Sequence, residues 1–194
     1  MTKTFHTVTF GLLTGLLILS SCGGEEKKVE DKKQLLSKEE LRSSIKQMED
    51  SLKVLQSSDM PVENLHRMEL ANRLIAFYES YPEDSYAPKC LDKIHMVYSG
   101  MGVHELSIAY ADTLLLKYPV YENRAMVLES QGSNYDIFTS PRDSAKVRYY
   151  YTMLLKENPK MDKEKRQGII DRLAQNQLTF DEYLNKKIMD MASK

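Results

Sequence analysis

The sequence predicts an all-α protein: a short α-solenoid of helix pairs, with an amphipathic helix before them and a capping helix after. Three observations carry this expectation. The first is a helix ending written three times, at Phe77-Tyr78-Glu79-Ser80-Tyr81-Pro82, Leu115-Leu116-Lys117-Tyr118-Pro119 and Leu154-Leu155-Lys156-Glu157-Asn158-Pro159, with the prolines 37 and 40 residues apart. Proline cannot continue a helical hydrogen-bond ladder and pushes the residue before it out of helical geometry, so each phrase is a stop. A period in this range with two helices per unit is the mark of a solenoid. The second is the series Leu41, Ile45, Met48, Leu52 and Leu55, spaced alternately by four and three, which makes the narrow apolar stripe of an amphipathic helix. The third is Thr179 with Glu182 three residues later, a capping box that divides the chain end into a closing helix from Asp162 to about Leu178 and a shorter last one.

Taken in order, residues 1–21 have the parts of a secretory signal: a cationic start at Lys3, an apolar core from about Val8 to Leu19, and the small residues Ser20 and Ser21. The run Leu19-Ser20-Ser21-Cys22 resembles the lipobox of bacterial lipoproteins. That resemblance implies cleavage before Cys22, lipidation of Cys22 with palmitate-like acyl chains, and an outer-membrane protein whose body is periplasmic, with surface exposure left open. A secreted protein with a coincidental cysteine and a membrane-spanning anchor are the alternatives, but the apolar run is shorter than the roughly 20 residues that span a bilayer. At about 0.8 kcal/mol per buried methylene, two or three acyl chains hold a protein on a membrane durably. Residues 22–33 are glycine-led and charged, offer nothing to a core and read as a flexible tether.

Residues 34–58 form the amphipathic helix, with Ser37, Glu39 and Glu40 as its start and Ser57-Ser58-Asp59 with Pro61 as its stop. Two readings of its stripe fit: a short coiled coil with another chain, or a helix folded back on its own domain.

Residues 62–194 form the helical domain. In its second unit Leu128, Gly132 and Tyr135 stand on the first helix and Tyr151 and Pro159 on the second; in its first unit Leu91, Ile94 and Tyr98 occupy the corresponding places and Pro119 closes the pair. This pattern resembles tetratricopeptide repeats (TPRs), which implies that Gly132 fills the small slot where two helices touch. His95, Ser107 and Ala111 depart from the pattern, and Thr139 to Asp143 lengthens the second turn, advertised by Ser140-Pro141. Gly100-Met101-Gly102 reads as the turn between the helices of the first unit, where positive backbone angles are useful. The wording from Tyr81 to Pro119 is similar to outer-membrane TPR lipoproteins, BamD-like proteins of β-barrel assembly and the Tol-associated TPR domain, over roughly Asn64 to Pro159.

The charge balance, 27 Lys and Arg against 28 Asp and Glu, carries no basic excess and argues against nucleic acid as a partner. Cys90 reads as a small buried residue on a helix. His66, His95 and His104 lack metal-ligand spacing, and no phosphate loop, nucleophile elbow or Cys-x-x-Cys motif occurs. The expectation is therefore no enzyme, no metal and no cofactor. The charges Lys163, Glu164, Lys165, Arg166, Asp171 and Arg172 read as the solvated face of the cap. Of the run Tyr149-Tyr150-Tyr151, at least one ring must be exposed or lie at an interface, because three consecutive helical positions cannot share one core.

The TPR resemblance implies that residues pointing from the first helix of each unit receive a protein partner: Lys89, Asp92, Met96 and Ser99 in one unit, Met126, Glu129, Ser133 and Asp136 in the next. The same positions also fit a face that is merely solvated. Together these readings describe a non-catalytic, lipid-anchored scaffold or accessory subunit of the cell envelope, with outer-membrane protein assembly as the process that the resemblance suggests. The alternative is a surface-exposed ligand-binding lipoprotein.

Overall fold

Where the sequence repeats a stop, the backbone repeats a turn. The N–H groups of Tyr81, Tyr118 and Asn158 each close a helix by donating to the carbonyls of Phe77, Leu114 and Leu154, at 2.9, 3.0 and 3.0 Å. The carbonyls of the same three residues then accept from the N–H groups of Asp84, Tyr121 and Met161, at 3.1, 3.1 and 3.2 Å, which places a proline second in each turn. Tyr118 (φ −126°, ψ 71°) and Asn158 (φ −118°, ψ 70°) have nearly the same backbone.

The computed structural model describes residues 36–57 and 64–193. The signal segment, Cys22, the tether and the Ser58 to Pro61 stop lie outside them. The described residues are all-helical and contain no strand. They form α1 (Lys38–Ser57), α2 (Asn64–Ser80), α3 (Ala87–Gly100), α4 (His104–Lys117), α5 (Arg124–Ser133), α6 (Ser144–Glu157), α7 (Lys163–Ala174) and α8 (Phe180–Ala192). No helix among them is long and apolar enough to cross a membrane.

α1 starts on a capping box. The Glu40 N–H donates to Ser37 Oγ at 3.3 Å and the Ser37 N–H donates back to the Glu40 carboxylate at 2.8 Å. Its stripe buries Leu41, Ile45 and Met48 in a cluster with Leu70, Leu74 and Phe77 of α2, so of the two readings it is the folded-back helix that is observed. Each such side chain removed from water contributes about 1.5–3 kcal/mol, more than the propensity of any residue in the helix. From α1 to α7 each helix packs on the next in sequence. α1 to α4 share one core, which Val127 of α5 also enters. A second core gathers Leu128, Val147, Tyr150, Tyr151, Leu154 and Met161, and Leu115 touches both.

Gly102 has φ 75° and ends α3. Its N–H donates to the Ser99 carbonyl at 3.0 Å and the Val103 N–H donates to the Tyr98 carbonyl at 2.9 Å, the paired bonds of a Schellman stop. α5 continues into a π-helical turn at Asn134–Phe138, followed by a turn containing the cis Ser140–Pro141 peptide. Asp143 then caps α6, accepting the Lys146 N–H at 2.9 Å. Thr179 and Glu182 form the expected reciprocal cap of α8. One expectation at the cap is corrected. Arg172 is buried, not solvated, and its guanidinium lies 5.0 Å from the centre of the buried Tyr183 ring, because α7 turns this residue toward the preceding helices.

Candidate functional site

The positions expected to receive a partner fall into three groups. Met96 and Met126 are exposed, at 57% and 66% of their surface, and are apolar side chains with nothing packed over them. Lys89, Asp92 and Glu129 are charged but engaged. The Lys89 ammonium stands 3.1 Å from Glu122, and Glu129 stands 2.6 Å from Lys165. Asp92 faces His95 Nε2 at 3.0 Å and accepts from the Tyr121 hydroxyl at 2.7 Å and from Asn123 Nδ2 at 3.4 Å. Burial acts to raise the Asp92 pKa, but the hydrogen bonds from His95, Tyr121 and Asn123 outweigh it and hold the carboxyl below its usual range. Ser99 and Ser133 are partly covered, and Ser133 Oγ lies 3.4 Å from the Tyr151 hydroxyl.

Asp136 does not belong to an open face. Its side chain is 1% exposed and is clasped by Arg142 and Arg172, whose Nε atoms donate at 2.6 and 2.7 Å. The wider π-helical turn carries fewer degrees of rotation per residue than an α-helix, which swings Asp136 inward from the line of Met126, Glu129 and Ser133. Arg142 also donates to the Asn176 carbonyl at 2.8 Å, and Arg172 to that of Leu178 at 2.8 Å. The network fastens α7 to the π turn.

On the side formed by α4 and α6, the side chains enclose a cleft of about 610 Å³. Asp112 is at its base, accepting from the Tyr150 hydroxyl, from Gln131 Nε2 and from the Tyr135 hydroxyl at 3.3 Å. The Tyr135 and Tyr150 rings stack with centroids 5.5 Å apart, and the Lys146 ammonium sits 5.6 and 5.8 Å from their centres. Burial, with the Asp112 charge beside it, pushes the Tyr135 hydroxyl up to about 12 and Tyr150 in the same direction. Both hydroxyls are held as donors. Tyr149, 55% exposed and edge-on to Tyr150 at 5.0 Å, forms the rim. A second groove of about 530 Å³ opens on its far side along Arg148, Met153 and Asn176. The tyrosine run is thus divided as helical geometry demands: Tyr151 against Gly132, Tyr150 on Asp112, Tyr149 outward.

Sequence reasoning named the tyrosines but not Asp112, Gln131 or Lys146. A carboxylate inside the apolar α4 stretch Leu106 to Leu116 was the available signal, yet its three donors come from 19, 23 and 38 residues away. Among the described residues no group of three or more His, Cys, Asp or Glu is placed to hold a metal ion. Comparison with protein-family models and with curated proteins finds no match for this chain.

Proposed function

We propose that this chain is a TPR-like, lipid-anchored scaffold of the cell envelope that binds a protein partner along the α3 and α5 faces and does no chemistry on it. The observation that supports this reading is the repeated unit itself. The proline turn recurs three times with the same hydrogen bonds, consecutive helices pack in series, and the α5/α6 contact is made at a glycine. Arrays of this kind expose first-helix side chains along a continuous surface, and here Met96 and Met126 are the exposed apolar pair, with flexible thioethers suited to a partner's contours. The anchor on Cys22 and the outer-membrane location are part of the same proposal, carried by the lipobox resemblance.

The test is in-cell crosslinking, followed by purification from detergent-solubilised membranes. A membrane-protein partner lost on Met96→Glu with Met126→Glu supports the reading; no specific partner in the native strain overturns it. The methionines are sharper probes than Lys89 or Glu129, whose charges are already paired. Cys22→Ala should release the protein from the membrane fraction, and retention there would refute the anchor. A second reading, a surface-exposed lipoprotein with a small ligand, draws on the 610 Å³ cleft. Destruction of the body by protease added to intact cells would favour it.

A further inference from the structure

We propose that the α4/α6 cleft binds an organic cation: one ammonium group on an apolar body, held by Asp112 and the tyrosine rings beside it. The inference goes beyond partner binding along α3 and α5 and does not depend on it.

Size and lining set the body. A cleft of about 610 Å³ lies within the range of roughly 300–1,000 Å³ typical of binding sites. Leu115, Leu116 and Leu128 wall it, and the exposed Tyr149 stands at its rim. A bare ion would leave these walls wet, whereas an apolar body covers them.

Charge sets the head. The charged side chains of the lining are Asp112, Arg124, Asp143 and Lys146. Arg124 is spent on Glu157, at 2.8 Å, and that pair carries no net charge. Two carboxylates then stand against one ammonium, an excess of one negative charge. Both carboxylates are hydrogen-bonded by neutral donors and keep their charge: Asp143 accepts the Lys146 backbone N–H, and Asp112 accepts from Tyr150, Gln131 and Tyr135. Neither forms an ion pair among the described residues. The first turn of α6 partly offsets Asp143, which caps it, but Asp112 stands within α4, away from both helix ends. Tyr135 registers both charges: after burial, Asp112 and then Asp143 push its hydroxyl up to about 12.

The site already accommodates a cation. The Lys146 ammonium lies 5.6 and 5.8 Å from the Tyr135 and Tyr150 ring centres and pairs with neither carboxylate. Ring faces attract an ammonium, the more so where it is desolvated. Lys146 is exposed and carried on a flexible stem, so it can yield this place to a ligand. A ligand cation that displaces it meets the same rings with Asp112 beside them, while an anion meets two carboxylates.

The experiment is isothermal titration calorimetry of the full-length lipoprotein in non-ionic detergent micelles, with phenethylamine, the neutral phenethyl alcohol and the anion phenylacetate as probes. Phenethylamine should bind at least about tenfold more tightly than the alcohol, a difference of about 1.4 kcal/mol, and phenylacetate more weakly still. Asp112→Asn should erase the preference for the amine, with partition into the micelle common to both proteins. That variant disturbs three hydrogen bonds, so Lys146→Ala, at the surface, is the decisive one. It vacates the rings and removes a like charge, and should raise the amine affinity about threefold, a gain that a damaged fold does not produce. Equal binding of amine and alcohol, no binding, or a Lys146→Ala protein that binds the amine no better than the native one overturns the proposal. Loss of amine affinity on Met96→Glu with Met126→Glu would overturn it too, by moving the ligand to the α3 and α5 faces. A short glycine peptide with one central Lys identifies the source of the cation. Its competition with phenethylamine supports a partner's lysine as the occupant, and its failure to compete with a bound amine supports a free one. No partner in the crosslinking assay defeats the scaffold reading without touching this one, and failed titrations defeat this one without touching that.

Discussion

Gly132 and Tyr151 occupy one space between them. A Cβ built on Gly132 would lie 2.4 Å from Tyr151 Cε1 and 2.5 Å from its Cδ1, so α5 and α6 can approach as they do only because residue 132 has no side chain. Tyr151 is buried and cannot simply rotate into solvent. Gly132→Ala gains about 1 kcal/mol of helix propensity but forces an overpacking cost of about 1–3 kcal/mol. The expected result is a net loss of up to about 2 kcal/mol, read as a Tm lower by up to about 8 °C. Tyr151→Leu in the Gly132→Ala background should recover part of it. A Gly132→Ala protein more stable than the native one would show that the helices can separate freely.

The clasp on Asp136 makes a stronger prediction. Removing one member of a buried ion pair strands the other, at about 3–5 kcal/mol. Asp136→Ala leaves both Arg142 and Arg172 facing the same void, and urea denaturation should show a loss of that size. Asp136→Leu combined with Arg172→Met should cost less than Asp136→Ala alone, since no uncompensated Arg172 remains. Equal losses would mean that the arginines reach water once the carboxylate is gone.

The features legible in the sequence depend on residues a few positions apart. The proline turns, the Ser37–Glu40 and Thr179–Glu182 boxes and the Gly102 stop each satisfy their own backbone groups locally. Gly132 was legible through the resemblance to TPRs, whose pattern implies a small residue there, although His95 stands in the corresponding place of the first unit. Asp136 was misplaced because its orientation follows from a π turn, and nothing in Asn134 to Phe138 spells that turn as a proline spells a stop. Arg172 was misread for a related reason: the Gln175 and Leu178 carbonyls that it also meets are local, but its carboxylate partner Asp136 is 36 residues away, on the π turn. The Asp112 cluster escaped notice because its donors sit on α5, the π turn and α6. Local chemistry was readable, and charge burial set by the crossing of distant helices was not.

Cys90 offers a clean reporter of global opening. It is fully buried, and burial pushes its thiol up to about 12, against the pull of Lys93 and Arg42. The reactive thiolate is thus scarce at neutral pH and out of reach. In full-length Cys22→Ala protein, Cys90 is the remaining thiol of the two cysteines in the chain. It should resist a disulfide-exchange reagent in buffer and react at once in denaturant, with intermediate rates tracking the unfolded fraction. Rapid, stoichiometric labelling in buffer would place Cys90 at a surface.

The tyrosines around Asp112 and Asp92 predict how stability ends at high pH. Burial first, and the neighbouring carboxylate second, raise the hydroxyl pKa of Tyr150 and Tyr121, and the same pair of causes lifts Tyr135 to about 12, against the ordinary 10.0. Below pH 10 these groups are protonated in both the folded and the unfolded chain, and their contribution is fully present. Between pH 10 and 12 the unfolded chain has released protons that the folded chain still holds, so the unfolded state is favoured progressively as pH rises. Urea midpoints measured from pH 9 upward should therefore fall steadily through this window, with tyrosinate absorbance appearing at the unfolding transition. Tyr150→Phe should start from lower stability, having left Asp112 short of a donor, but should fall less steeply with pH. A slope unchanged by Tyr150→Phe would assign the alkaline loss to other groups, the lysines first among them.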